Sequence, residues 1–84
     1  MDIKVLGSGC PNCRRLEKVV RDVITEMGVE ATLTKVTDFQ DIMAYGITFT
    51  PGLVINEQVV SAGRIPRKAE VTTWVVNALA AEEA

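Results

Sequence analysis

Gly7-Ser8-Gly9-Cys10-Pro11-Asn12-Cys13 is the stretch around which the rest of the chain is arranged. An apolar run, Ile3-Lys4-Val5-Leu6, leads into it, and a strongly periodic segment leads out. Its cysteines are the only two in 84 residues, and two residues separate them. A disulfide stabilises mainly by restricting the unfolded chain, so its effect grows with the loop it closes. Joining Cys10 to Cys13 closes four residues, for which loop entropy gives about 2 kcal/mol before strain, against about 3 for a fifteen-residue loop. As a staple the pair does little. Its spacing reads as a dithiol that opens and closes.

The surroundings suit a reactive thiol. Gly7 and Gly9 permit a tight, exposed turn between strand and helix. Pro11 fits the first helical position, where its missing N–H is no loss. Cys10 is then the N-cap, with Cys13 one turn in at N3. The open N–H groups and the positive end of the helix dipole face the Cys10 sulfur and favour thiolate over thiol. The thiolate is the nucleophile. Cys13, on the inner side of the first turn, is placed to attack a mixed disulfide formed at Cys10. Arg14, Arg15 and Lys4 add positive charge nearby in sequence, although such residues are ordinarily solvated.

Length and composition narrow the field. Residues 1–84 are expected to form a single small domain with a thin core. No linker, repeat or low-complexity tract interrupts them. A net charge of −2 argues against nucleic acid and against polybasic attachment to membranes. The chain enters a strand at once, without a basic region, a long apolar segment or a cleavage site, so neither a signal peptide nor a membrane span is expected. A cytoplasmic address is the expectation, where the thiol pool keeps such a pair reduced for much of its life. There is no histidine, which excludes Cys–His catalysis and His-ligated metals. The phosphate-binding and dinucleotide-binding glycine motifs are missing, since Asn12 stands where the third glycine of the latter belongs. No cofactor is expected.

The first strand is read over 2–6, its continuous apolar character suiting a strand covered on both faces. Lys4 interrupts it. The expectation is that Lys4 snorkels at a sheet end; the competing reading brings its ammonium to the dithiol. The first helix is read over 11–27. Leu16, Val19, Val20, Val23, Ile24 and Met27 share one face with Cys13, which points Cys13 inward and leaves Cys10 at the exposed tip. Gly28 ends the helix as a left-handed cap. The second strand is read over 30–36. Thr37-Asp38-Phe39-Gln40 matches a capping box for a short helix to about Tyr45 that buries Phe39, Ile42 and Met43. Gly46 stops it.

Thr50-Pro51 then leads into a strand, Gly52-Leu53-Val54-Ile55. A proline here is often an edge residue without a donor, or it follows a cis peptide bond where backbone stays exposed. Asn56-Glu57 is the turn of an antiparallel hairpin to Gln58-Val59-Val60-Ser61. A third helix starts at Pro66 or nearer Lys68 and buries Val71, Trp74, Val75, Ala78 and Leu79. Residues Glu82, Glu83 and Ala84 are expected to fray. The order β-α-β-α-β-β-α, with a right-handed first crossover, makes an α/β fold: one mixed four-stranded sheet with three helices on its two faces.

A CxxC after the first strand of such a unit resembles the thioredoxin fold. Together with Thr50-Pro51-Gly52-Leu53, the chain looks most like the small thioredoxin-like proteins called redox-active disulfide protein 2, over essentially its whole length. The resemblance implies that Cys10 is the nucleophile and Cys13 the resolving cysteine of a Cys10–Cys13 disulfide. It also implies that Pro51 is a cis-proline packed beside that disulfide, and that Thr50 offers its backbone to an extended substrate segment. Pro11 and Asn12, between the cysteines, are candidate substrate contacts. Three departures stand out. The dithiol is not Cys-Gly-Pro-Cys, Lys4 replaces a typical buried acid, and Ser61-Ala62-Gly63-Arg64 lacks the glutathione-holding pattern of glutaredoxins.

The leading reading is a thiol–disulfide oxidoreductase, a protein-disulfide-reductase-like carrier. It would exchange electrons with protein disulfides and be reduced by a thioredoxin-reductase-like donor. Glutathione is not expected as its dedicated partner. Two alternatives remain open on the residues: soft-metal binding or transfer through the two thiolates, which alone do not complete a tetrahedral site, and a non-catalytic peptide-binding module.

Overall fold

Ile3, Val5 and Leu6 are all buried, because the strand that carries them has a packed layer on each face. The computed structural model describes residues 1–83. Its elements are β1 (Asp2–Leu6), α1 (Pro11–Met27), β2 (Thr32–Val36), α2 (Phe39–Ala44), β3 (Gly52–Ile55), β4 (Gln58–Ala62) and α3 (Lys68–Glu83). The sheet runs β2-β1-β3-β4. β1 pairs with β2 in parallel and with β3 antiparallel, and β3 pairs antiparallel with β4.

Alternation along β1 divides the core. Ile3 and Val5 join Leu16, Val20 and Val23 of α1, Leu53 and Ile55 of β3, and Val71 and Val75 of α3. Leu6 turns the other way and packs with Val54 of β3, Ile42 of α2 and Ile47. Thus α1 and α3 cover one face and α2 the other. Burial of these side chains contributes most of the stability, at roughly 1.5–3 kcal/mol each.

Several details differ from the sequence reading. Asp38, not Thr37, caps α2: its side chain accepts from the N–H groups of Gln40, at 2.8 Å, and Asp41, at 3.3 Å. A carboxylate one residue closer satisfies two open donors where the capping box needs a glutamine to reach back. Phe39 and Met43 are exposed, at 72% and 48%, because a six-residue helix turns one side to the sheet and Ile42 takes it. Trp74 is only partly buried, at the rim of the core. β2 begins at Thr32, since Glu30 lies before the register with β1 starts. α3 extends through Glu83, so Glu82 and Glu83 belong to its last turn; Ala84 lies outside the described residues.

The hairpin turn adopts positive φ at Asn56 (49°) and Glu57 (66°), the twist that a two-residue connection requires. α3 starts at Lys68, and its first turn is secured by Glu70. That side chain accepts from the Arg67 N–H at 3.0 Å and holds the Arg64 guanidinium in a fork at 3.1 and 2.7 Å.

Candidate active site

β1 ends at Leu6, and the chain must leave the sheet and start α1 by Pro11. Gly7 extends the β1–β2 ladder by one step, donating its N–H to the Val36 carbonyl at 2.9 Å. Gly9 turns the chain at φ 84°, a region costly for residues with a Cβ. Cys10 is then extended, at φ −67° and ψ 162°, and caps α1 with Pro11 as the first helical residue.

The cap is the sulfur itself. Cys10 Sγ accepts the Cys13 N–H at 3.2 Å, while the Cys10 carbonyl takes the Arg14 N–H at 3.1 Å. The two sulfurs lie at disulfide distance, with the Cα atoms 5.1 Å apart. Their surroundings differ. Cys13 is 5% exposed, whereas Cys10 is partly exposed beside exposed Pro11 and Asn12. Arg14 and Arg15 are also exposed. A partner sulfur can reach Cys10 and not Cys13.

A second segment closes on the pair. A Cβ on Gly7 would overlap Cys13 Sγ and stand 3.9 Å from the Thr50 Cβ, so Gly7 is the thin layer between the dithiol and residue 50. The Thr50–Pro51 peptide bond is cis. Pro51 is buried, and its carbonyl accepts the Gly63 N–H at 2.9 Å. Thr50 is exposed, and among the described residues its backbone makes no backbone hydrogen bond. Next to it opens a cavity of about 210 Å3, lined by Ser8, Thr50, Ile47 and the α2 residues Phe39, Ile42 and Met43. Phe39, Met43 and the 71%-exposed Phe49 put apolar surface in this region.

Lys4 is not part of this site. Leu6 pairs with Gly52 and Ile3 with Ile55, so the turn at Asn56-Glu57 lies at the end of β1 away from the cysteines. The Lys4 ammonium is drawn to that end. It donates to Tyr45 Oη at 2.9 Å, pairs with the Glu57 carboxylate, and lies 3.7 Å from Asp2. Its pKa is raised above the ordinary lysine value, chiefly by the bond to Glu57 and next by that to Tyr45.

Two features escaped the sequence reading. The exposed Phe39 and Met43 have helical spacing that does not distinguish outward from inward. Behind Cys13 lies another cavity, of about 230 Å3, which Glu17 and Lys35 help to line. Here the signal was present: Glu17 follows Cys13 by one helical turn. Among the described residues no group of three or more His, Cys, Asp or Glu is placed to hold a metal ion, and no helix is long and apolar enough to cross a membrane.

A partly exposed sulfur at a helix N-terminus, with a second sulfur at disulfide distance behind it, is chemically suited to disulfide exchange. Comparison with known proteins agrees on that class, a thiol–disulfide oxidoreductase of thioredoxin type. The family described as thioredoxin domain matches residues 1–76. A thioredoxin of Methanothermobacter thermautotrophicus is 35% identical over 71 residues, covering 84% of this chain and 92% of that protein. A thioredoxin of Methanocaldococcus jannaschii is 33% identical over 69 residues, covering 82% and 79%. The solved structure of thioredoxin 1 from Thermosipho africanus superposes with a TM-score of 0.61 at 17% identity, with 100% of both chains covered, which shows the fold. The chain belongs to the thioredoxin family.

Proposed function

We propose that this protein reduces disulfides of other proteins, with Cys10 as nucleophile and Cys13 as resolving cysteine. The Cys10 thiolate attacks one sulfur of the substrate disulfide and expels the other as a thiolate. Cys13 then attacks Cys10, which releases the reduced substrate and leaves Cys10–Cys13 oxidised. A reductase of thioredoxin-reductase type returns the two electrons. The observation that carries this reading is the contrast between the sulfurs: Cys10 caps the helix and is accessible, while Cys13 is 5% exposed behind it.

In this reading residues 1–84 work as one domain. An extended substrate segment lies along the open backbone of Thr50 at the cis-Pro51 turn, touching Pro11 and Asn12 on the other side. The apolar surface of Phe39, Met43 and Phe49 supports such contacts. Glutathione is not the dedicated partner, in keeping with the commitment of Arg64 to Glu70. A cytoplasmic location, where reduced thiols prevail, fits a reducing role.

The test is a pair of variants with one potential. Cys10→Ser is expected to abolish reduction of a protein disulfide. Cys13→Ser is expected to accumulate a mixed disulfide, visible as a mass adduct on Cys10. A Cys10–Cys13 potential near about −270 mV supports the reducing direction, and one near about −120 mV would reverse it. Full activity of Cys10→Ser would defeat the reading.

A further inference from the structure

Resolving the mixed disulfide requires the Cys13 thiol to lose its proton, in a place that is 5% exposed. This inference rests on the assignment of Cys13 as the resolving cysteine. The question is which base the fold supplies. Lys4 is a cation engaged at the far end of β1. The cavity of about 230 Å3 behind Cys13 carries three charged residues, Arg14, Glu17 and Lys35, and Glu17 is its one carboxylate. Residues four apart on a helix are neighbours on one face, so Glu17 stands one turn along α1 from Cys13. Its side chain is only 16% exposed. Lys35 of β2 lies beside Val5 in the sheet register and meets Glu17 Oε2 at 3.1 Å; Arg21 meets Oε1 at 3.3 Å. Glu17 thus borders the same cavity as Cys13, with its carboxylate held between Lys35 and Arg21.

We propose that Glu17 is the proton acceptor for Cys13 in the resolving step. The Cys13 proton passes to the Glu17 carboxylate across the cavity, which has room for bridging water. The freed electron pair on Cys13 Sγ forms the bond to Cys10 Sγ. The bond between Cys10 and the substrate sulfur breaks, and its electron pair leaves on the substrate, which takes a proton from solvent. Glu17 then gives up its own proton to solvent.

The charges around Glu17 set how strong this assistance is. Lys35 first, and Arg21 second, hold its carboxyl below the usual carboxylate range, and Arg14 adds a third positive charge at the cavity. Glu17 is therefore always ready as a base but is a weak one. General bases usually contribute about 100- to 10,000-fold when their pKa is near the working pH, so roughly tenfold is expected here.

The experiment follows a chromogenic nitrobenzoate disulfide mixed rapidly with reduced protein. One coloured thiolate is released as Cys10 attacks and a second as Cys13 resolves. In Glu17→Gln the second phase is expected to slow about tenfold relative to the first at pH 7, and to climb more steeply with pH than in the wild type. Lys35→Met breaks the same ion pair while leaving the carboxylate, and its second phase is expected to be no slower than wild type. An unslowed second phase in Glu17→Gln would overturn the proposal. So would equal slowing in both variants, since the pair would then only tie α1 to β2. A wild-type protein that shows no second phase would instead defeat the role of Cys13 itself.

Discussion

Cys10 and Cys13 are three positions apart, yet the helix start gives them opposite situations. The N-cap sulfur of Cys10 takes a backbone N–H that would otherwise lack a partner, while Cys13 faces inward with the apolar side of α1. Gly7 makes that inward position possible. It is buried, and its missing side chain leaves the space that Cys13 Sγ occupies. Gly7→Ala is therefore expected to lower the stability of the oxidised protein by about 1–3 kcal/mol, the usual penalty for forced overpacking. Urea unfolding of the two proteins measures the difference. Both cysteines and their unequal exposure were legible in the sequence, because spacing and helix polarity are local. Glu17 was not singled out, since an acidic residue on a helix is ordinarily solvated and only the neighbouring strand turns it inward.

At the scale of elements, helix ends decide more than helix interiors. α1 combines a sulfur cap, a proline in its first turn and a left-handed Gly28 at its end, so its boundaries follow from chain chemistry alone. α3 starts differently. Arg67 cannot cap, and Glu70 takes over by accepting the Arg67 N–H and clasping Arg64. Arg64 first, then the Arg67 backbone, lower the Glu70 pKa to about 2 from 4.5. A carboxyl with a depressed folded-state pKa stabilises fully above its unfolded value and loses that contribution as pH falls. Glu70→Gln is thus expected to lower Tm by a few degrees at neutral pH. The gap to wild type should close as pH falls from about 4.5 toward 2. Thermal unfolding followed by circular dichroism across that range checks both the sign and the window. α2 shows the limit of periodicity: with six residues, Phe39, Ile42 and Met43 all looked internal, and only packing shows that Ile42 alone is.

Across the whole molecule, β1 at the centre of the sheet joins two chemistries that stay apart. At its C-terminal end lies the dithiol. Toward the other end, Lys4 gathers Tyr45 after α2 and Glu57 in the β3–β4 turn. Glu57 occupies a left-handed position in that turn, and its carboxylate meets both Lys4 and the Tyr45 hydroxyl. Because this cluster faces away from the cysteines, Lys4→Met is expected to move the Cys10–Cys13 potential by less than about 30 mV, the shift that marks a tenfold change for a two-electron couple. Equilibration against a dithiothreitol buffer measures it. A larger shift would mean that the ammonium reaches the dithiol electrostatically after all.

What the sequence determined by itself was the order of elements, the parallel pairing of the first two strands and the dithiol at the head of α1. These rest on periodicity, capping and loop length, which act over a few residues. What only the tertiary structure decided was which distant groups meet. Pairing of β3 against β1 sets Thr50 beside Gly7, and packing of α1 on the β1–β2 edge brings Glu17 and Lys35 behind Cys13. The same pairing draws Lys4 to Glu57 rather than to the cysteines. Such meetings depend on strand register and on which face of each element is covered, and no local rule along the chain contains either.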